Sequence, residues 1–169
     1  MIKIEIPAGV AADVAGGRVR LTGRGVSLER TFSGVAIEKK ENAIEIVAPS
    51  KRKVDKALAG TAEAHIRRML RGLAKDYESR LQVVYSHFPV SIEVKPPGVL
   101  IKNFLGEKLP RKAAIVGKTK VEAKGANIVI TGPDSEGVGQ TAANIMSACR
   151  IRHKDRRVFQ DGIYPVEVE

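Results

Sequence analysis

The sequence is poor in the residues that support disulfide bonds, membrane spans and the stacking of nucleic-acid bases. Its one cysteine, Cys149, excludes a disulfide within the chain and a zinc site built from several cysteines. It has no tryptophan, four phenylalanines and three tyrosines, so few rings are available for unpaired bases. No apolar run approaches the roughly 20 residues that a bilayer span requires. We therefore expect a protein that is stabilised by packing and does not enter a membrane.

The first residues show no secretion signal. The sequence Ile2-Lys-Ile-Glu-Ile6 alternates apolar and charged side chains, whereas a signal peptide contains a continuous apolar region. We therefore expect the chain to remain in the cytoplasm.

Positive charge is what the sequence has in excess. The 29 Lys and Arg residues outnumber the 19 Asp and Glu residues, which leaves a net charge of +10 and a pI near 9.9. A strongly basic protein attracts polyanions, either nucleic acid or an anionic membrane surface. The helix patterns have apolar faces of ordinary width, which favours nucleic acid as the partner.

Two stretches of the chain have nearly the same pattern. Ile44-Glu-Ile-Val-Ala-Pro49 precedes one helix pattern, and Ile128-Val-Ile-Thr-Gly-Pro133 precedes another, 84 positions later. Such spacing indicates a duplicated unit. Each half has about 80 residues and would bury roughly 60 to 65% of its unfolded surface, so each would be marginally stable alone.

Helix periodicity follows each of these stretches. Apolar residues between Val54 and Leu73 recur at i, i+3, i+4 and i+7, which predicts an amphipathic helix with Ser50 as a candidate N-cap. A second stripe runs from Val138 to Cys149, and either Asp134 or Ser135 can cap that helix.

Strand periodicity precedes each helix. Apolar and polar residues alternate within residues 2–47 and again within 83–130, with turns between the short runs, which predicts antiparallel strands. We predict an α+β fold of two tandem similar domains, each a small, mostly antiparallel sheet covered by one amphipathic helix. The predicted domains are residues 1–80 and residues 81–169, the second with a basic C-terminal extension.

A basic segment follows the second helix pattern. Residues 150–157 are Arg-Ile-Arg-His-Lys-Asp-Arg-Arg, and the apolar residues that come next predict a folded extension that presents charge. Guanidinium groups bind phosphate oxygens in bidentate fashion, and ammonium groups act as point charges. The predicted RNA-binding residues are Arg150, Arg152, His153, Lys154, Arg156, Arg157, Lys102, Lys108, Arg111 and Lys112. The alternative is a solvated surface stretch that contributes solubility alone.

The kind of nucleic acid follows from the motifs that are missing. The chain has no recognition-helix motif and no zinc finger for the major groove of DNA. Folded RNA, bound by shape through phosphates and 2′-hydroxyls, is the partner that fits.

Catalytic motifs are also missing, and we predict that the chain is no enzyme and needs no cofactor or metal. His65 lies on the first helix stripe and is predicted to be packed and hydrogen-bonded, whereas His87 lies in a strand pattern. His153 lies in the basic segment as a candidate hydrogen-bond donor to RNA. Cys149 has no activating partner in the sequence and is predicted to be a small core residue.

Two glycine pairs suggest phosphate loops but do not complete the motif. Gly23-Arg24-Gly25 and Gly137-Val138-Gly139 lack the Gly-Lys-Ser/Thr ending of a P-loop and the full dinucleotide fingerprint. We predict a turn at the first and an ordinary helix start at the second, where free N–H groups can also face a phosphate.

The second half contains a set of motifs specific enough to indicate a family. They are Asn103-Phe-Leu-Gly-Glu-Lys108, Asn127-Ile-Val-Ile-Thr-Gly-Pro-Asp-Ser-Glu136, Val138-x-Gln140-x-Ala142-Ala143-x-Ile145, Lys154-Asp155-x-Arg157 and Asp161-Gly-Ile-Tyr164. Together they resemble the universal large-subunit ribosomal protein family called L-six, in its archaeal and eukaryotic form. The first half departs from the family at Leu21-Thr-Gly-Arg-Gly25, where a Lys-Gly-Pro-type turn is usual.

The resemblance implies a non-enzymatic protein of two similar α+β domains, bound to large-subunit ribosomal RNA. It implies that the second domain lies near the sarcin–ricin loop, beside the site where translational GTPases land, with residues 150–157 and 102–112 touching RNA. Neighbouring ribosomal proteins would be further partners. The alternatives are a free RNA chaperone or repressor, a small phosphotransfer or hydrolytic enzyme, and a protein-interaction module with incidental charge.

Overall fold

The structure, a computed structural model, describes residues 2–41, 43–50, 52–84, 88–155 and 157–166. It divides into two units, Met1–Asp76 and Tyr77–Glu169. Each unit combines short antiparallel strands with one long helix. The predicted α+β class is therefore confirmed.

The first unit places a helix after a series of strands. Its elements are β1 (Ile2–Glu5), β2 (Ala11–Ala15), β3 (Arg18–Gly23), β4 (Val26–Thr31), β5 (Ala36–Lys40), β6 (Ala43–Val47) and α1 (Lys53–Ala74). The strands form the antiparallel sheets β1-β6-β5 and β2-β3-β4. Residues alternate between exposed and buried along β3, as the period of two predicts.

The core of the first unit lies where α1 covers the strands. The buried residues of α1 include Ala62, Ile66 and Leu73, which repeat at helical spacing and meet Leu21 and Ile44 of the sheets. Fully burying one such aliphatic side chain contributes about 1.5 to 3 kcal/mol. The apolar stripe predicted for this helix is therefore confirmed from Ala62 to Leu73. Its first turns differ, because Val54 and Leu58 are 69% and 40% exposed.

The start of α1 differs from the prediction. The N-cap is Arg52, without a side-chain cap bond, whereas Ser50 lies outside the helix. The Ser50 hydroxyl accepts a hydrogen bond from the Arg52 N–H at 3.2 Å and donates one to the Asp55 carboxylate. Ser50 lies two positions before the N-cap, so its hydroxyl stabilises the chain that leads into the helix and does not cap the helix itself.

The second unit repeats this order and adds one strand. Its elements are β7 (Tyr77–Val84), β8 (Ser91–Lys95), β9 (Gly98–Lys102), a 3-10 turn (Phe104–Gly106), β10 (Arg111–Ala114), β11 (Lys120–Lys124), β12 (Asn127–Gly132), α2 (Ser135–Ala148) and β13 (Gly162–Val166). Its sheets are β8-β9-β10 and β11-β12-β7-β13. The sheet β8-β9-β10 has the same strand order as β2-β3-β4 of the first unit. In the other sheet, β7-β12-β11 corresponds to β1-β6-β5 of the first unit.

The duplication is therefore visible in strand pairing as well as in sequence. β12 begins at Asn127, which is 84 positions after the start of β6 at Ala43, and β11 follows β5 at the same interval. β13 has no counterpart in the described part of the first unit, and it pairs with the edge of β7. The extra strand brings the chain back to the sheet after the basic segment.

The strands of each unit divide between two sheets, although the sequence pattern predicts one. The reason is that alternation identifies strands without identifying partners. β1 pairs with β6, which is distant in sequence, while β2, β3 and β4 pair among themselves.

Residues 77–80, assigned from sequence to the first domain, form the start of β7. Tyr77 pairs with Gly132 of β12, and Arg80 pairs with Val166 of β13. The polar residues of this stretch alternate with partly buried ones and point away from the core, because β7 is an interior strand whose polar face is exposed.

Candidate nucleic-acid interface

The basic segment begins where α2 ends, so the placement of α2 determines where the charges lie. Asp134 caps the helix: its Oδ1 accepts from the N–H of Glu136 at 3.1 Å, and its Oδ2 accepts from the N–H of Gly137 at 3.3 Å. Val138 and Ile145 are buried against the strands. Because Asp134 occupies the leading N–H groups, the structure favours an ordinary helix start at Gly137 over a phosphate site.

Arg111 connects β10 to the end of α2. Its Nη1 donates to the carbonyl oxygens of Ala148 at 2.9 Å and Arg150 at 3.2 Å. Carbonyl groups at the C-terminus of a helix lack partners within the helix, so a guanidinium group stabilises them by both hydrogen bonding and charge. This contact joins the start of β10 to the first residue of the basic segment.

The Arg111 guanidinium also contacts Glu107 and Phe104. Its Nε and Nη2 donate to the Glu107 carboxylate at 2.8 and 2.6 Å, and its central carbon lies 4.5 Å from the centroid of the Phe104 ring. The hydrogen bonds raise the pKa of Arg111 and lower the pKa of Glu107. The Arg111 side chain is 24% exposed. Its hydrogen-bonding groups are engaged within the protein.

Glu107 is a residue that the sequence-based site prediction missed. Glu107 precedes Arg111 by four positions. On a helix this spacing brings two side chains together, but in an irregular loop it does not predict a salt bridge. The same pair could be found from sequence only if the conformation of the loop between them were known.

Beyond Arg150, the basic segment folds into a tight turn. Ile151 is buried, and the Asp155 carbonyl oxygen accepts hydrogen bonds from the N–H groups of Val158 at 3.2 Å and Phe159 at 2.9 Å. The Asp155 carboxylate accepts from the N–H of Arg157 at 2.9 Å. Asp155 therefore stabilises the turn through its backbone and its side chain. The segment is the folded extension that the sequence predicts.

The cations of this turn point outward. Arg150, Arg152, His153, Lys154 and Arg157 are exposed. Within the described ranges, none of the four Arg and Lys residues in this group forms a salt bridge. The Lys154 ammonium lies 4.6 Å from the centroid of the Phe159 ring, which supports its position. Arg156, also predicted to bind RNA, lies outside the described residues.

Lys102 lies in β9 and has a partner. Its Nζ is 2.7 Å from Glu93, and Lys95 approaches the same carboxylate at 2.8 Å. Hydrogen bonds from Lys102 and Lys95 lower the pKa of Glu93 to about 2. Lys102 can still face a phosphate with its remaining donors, but its charge is shared with Glu93.

Lys108 and Lys112 are exposed on the loop and strand next to Arg111. The contact between Arg111 and Arg150 places this loop beside the basic segment, so the structure brings these two predicted groups together. Lys102, at the far end of β9, is connected to them through the 3-10 turn.

The first unit carries more net charge than the second. It has 15 Lys and Arg residues against nine Asp and Glu, while the second unit has 14 against ten. Arg18 and Arg20 both contact Glu29, at 2.8 and 2.6 Å, and Arg67 contacts Glu63 at 2.7 Å. The second unit has comparable pairs, such as Arg80 with Glu78 at 2.6 Å. The basic segment is distinguished by four exposed cations that lie close together in sequence and form no salt bridge in the described residues.

His65 and Cys149, two of the residues considered for catalysis, are hydrogen-bonded or buried. His65 accepts a hydrogen bond at Nδ1 from Arg30 and lies 6.2 Å from the ring of Phe32, which confirms that it is packed and hydrogen-bonded. Cys149 is buried, and burial raises the pKa of its thiol to about 12. His87 lies outside the described residues.

The described parts of the chain contain neither a cluster suited to a metal ion nor a helix suited to crossing a membrane. No group of three or more His, Cys, Asp and Glu side chains there is placed to hold a metal ion. None of the helices described combines the length and the apolar character needed to cross a membrane.

Comparison with known proteins agrees with the motifs of the second half. The family model described as Ribosomal protein L6 matches residues 88–162. The protein named large ribosomal subunit protein uL6 from Methanosarcina mazei is 42% identical, over 97% of this chain and 94% of its own length. The proteins of that name from Methanothrix thermoacetophila and Staphylothermus marinus are 44% and 46% identical, covering 98% and 96% of this chain and 95% and 91% of theirs. Similarity of this degree along nearly the whole chain, together with the repeated α+β fold, shows that the chain belongs to the ribosomal protein L6 family.

Proposed function

We propose that this chain is a structural constituent of the large ribosomal subunit that binds ribosomal RNA through the basic segment of its second unit. Membership of a ribosomal protein family agrees with the sequence prediction that the chain is not an enzyme. The observation that carries the proposal is the set of exposed cations Arg150, Arg152, Lys154 and Arg157, which have no salt-bridge partner in the described residues.

The segment is suited to phosphate binding because it is ordered before RNA arrives. Arg111 fixes its first residue, Ile151 anchors it in the core, and Asp155 closes its turn. Ordering a flexible cationic loop on binding would cost free energy for each immobilised side chain. A preformed turn avoids much of the backbone part of that cost.

The predicted site residues then divide by role. Arg150, Arg152, Lys154 and Arg157, with Lys108 and Lys112 on the adjoining loop, face solvent and are proposed to contact phosphates. Arg111 is proposed to position the segment, because its donors already bind Glu107 and two carbonyl groups. Lys102 is proposed as a peripheral contact because Glu93 shares its charge.

Recognition of this kind depends on the shape of the RNA. An A-form helix displays phosphates and 2′-hydroxyls across a wide, shallow minor groove, which a fixed array of cations can match without reading bases. We propose that the RNA lies near the sarcin–ricin loop, in the translation-factor region, as the resemblance implies. Neighbouring ribosomal proteins are further proposed partners, with the cytoplasmic ribosome as the location.

The proposal is tested by following the chain in cells. A tagged version should sediment with the large subunit in a sucrose gradient at low salt and should leave it in a high-salt wash. RNA crosslinking with peptide mapping should place crosslinks within residues 150–157. Sedimentation away from subunits would favour a free RNA chaperone or repressor, and binding that survives molar salt would favour a protein-interaction module.

A further inference from the structure

A cleft opens beside the basic segment, between the end of α2 and the start of β13. Its volume is about 390 Å³, within the range of sites that hold small ligands. Ile151 and Ile163 supply apolar wall, while Arg150, Gln160 and Tyr164 bring polar groups to its edge. All of these residues belong to the second unit.

Tyr164 is held in a defined position without being buried. Its hydroxyl donates to the Gln160 carbonyl oxygen at 3.1 Å, yet the residue is 49% exposed. A Cβ at position 162 would lie 3.1 Å from three atoms of the Tyr164 side chain, so Gly162 leaves the space that the ring occupies. The motif Asp161-Gly-Ile-Tyr164 therefore builds a fixed, half-exposed aromatic surface.

The chemistry of the cleft matches a nucleotide. A base needs an aromatic or apolar face on which to stack and polar groups for its edge, while its phosphate needs a cation. Tyr164 offers the ring, and Arg150 offers an exposed guanidinium. The hydroxyl of Ser147 and the amide oxygen of Gln160 offer polar groups, while the Gln160 amide nitrogen donates to the Arg157 carbonyl oxygen at 3.3 Å.

We propose that this cleft binds an unpaired nucleobase of the RNA, which stacks on the ring of Tyr164 while its phosphate contacts Arg150. This inference rests on the proposed function and refines it, because a stacked base adds a contact with an unpaired nucleotide to recognition by shape. The scarcity of aromatic residues predicts little stacking overall. The ring of Tyr164 is the place where we propose that one base stacks.

The proposed base contact is tested with Tyr164 variants of the full chain. The probe is a transcript of the large-subunit ribosomal RNA encoded by the same genome, and affinity is measured at several salt concentrations. Tyr164→Leu should weaken binding roughly 5- to 150-fold, the range expected for one base stacked on an aromatic ring. Tyr164→Phe keeps the ring and should bind within about twofold of the wild type.

The dependence of affinity on salt separates stacking from charge. Loss of a stacked base releases no counterions, so Tyr164→Leu should leave the slope of log K against log salt unchanged. Val166→Ala, which shortens an exposed side chain on the same face of β13 outside the cleft, is the matched control and should bind like the wild type. Circular dichroism and thermal unfolding of each variant check the fold.

A second measurement applies to the wild-type chain, so it does not depend on any variant folding. Zero-length ultraviolet crosslinking of the wild-type chain to the transcript should attach a nucleotide to the peptide that contains Tyr164. Adducts confined to other peptides would overturn the inference. So would equal binding by Tyr164→Leu and the wild type, or an equal loss in Tyr164→Phe. If the wild-type chain did not bind the transcript at all, the proposed function itself would fail.

Discussion

The guanidinium of Arg111, the first residue of β10, and the carboxylate of Glu107, on the loop before it, meet in two hydrogen bonds of 2.8 and 2.6 Å. The pair neutralises the charge of Arg111 while leaving Nη1 to bind the carbonyl groups at the end of α2. A cation that the sequence alone assigns to RNA binding is thereby used to hold the basic segment in place.

Replacing Arg111 should destabilise the second unit. Arg111→Lys removes the paired donors and the planar group over Phe104, and we expect a loss of about 2 kcal/mol in the free energy of unfolding. Urea denaturation measures it. Arg80→Lys is the control, because Arg80 contacts Glu78 at 2.6 Å but is half exposed, and it should change stability by less than about 0.5 kcal/mol. Equal effects in both variants would contradict the positioning role of Arg111.

Removing exposed cations should change the dependence of RNA binding on salt. The double variant Arg152→Ala with Arg157→Ala removes two proposed phosphate contacts, so the slope of log K against log salt should flatten by about 1.8, at roughly 0.9 per contact. Thermal stability should stay nearly unchanged because neither side chain is paired within the described residues.

The matched control removes two arginines from the first unit. Arg18→Ala with Arg20→Ala makes the same change in net charge, but both side chains contact Glu29. We expect this variant to keep the wild-type slope. If it flattened the slope while the first variant did not, the interface would lie on the first unit.

The thiol of Cys149 should resist alkylation in the native protein. Burial raises the pKa of this thiol to about 12, so at pH 8 the reactive thiolate is scarce, and the side chain is also inaccessible. Iodoacetamide labelling followed by mass spectrometry should show slow reaction in buffer and rapid reaction in 6 M guanidinium chloride. Rapid labelling of the folded chain would place Cys149 outside the core.

Stability should fall in acid partly because of Glu93. Hydrogen bonds from Lys102 and Lys95 lower the pKa of Glu93 from 4.5 to about 2. The Glu93 carboxylate therefore binds a proton less readily in the folded state than in the unfolded state. The stabilisation is therefore present above about pH 4.5 and is lost as pH falls toward 2. Thermal unfolding of Glu93→Gln should show a weaker dependence on pH across that window.

Glu122→Gln serves as the comparison for that titration. Glu122 is exposed and lies 4.0 Å from Lys124, a much weaker contact than those of Glu93. Its variant should keep the wild-type pH dependence. Identical profiles for Glu93→Gln and the wild type would show that the Lys102 contact does not persist in solution.

Several features of the fold could be predicted because they leave a local pattern. The duplicated stretches before Pro49 and Pro133 indicate two similar units. The periodicity of α1 and α2 identifies both helices, the buried face of α2, and the buried face of α1 from Ala62 onward. Asp134 could be proposed as a cap because capping depends on residues a few positions apart.

Features that depend on partners distant in sequence could not be predicted. The strand character of residues 77–80 is hidden by their polar side chains, and it arises from pairing with β12 and β13. The role of Arg111 depends on carbonyl groups 37 and 39 positions later in the chain.

The amino-acid sequence by itself determined the charge, the repeated α+β plan and the location of the basic segment, because each is set by composition or by spacing along the chain. Only the tertiary structure decided which cations are available to an external partner. A guanidinium group binds whichever acceptor lies nearest in space, and Arg111 meets Glu107 and the end of α2, whereas Arg152 and Arg157 meet solvent.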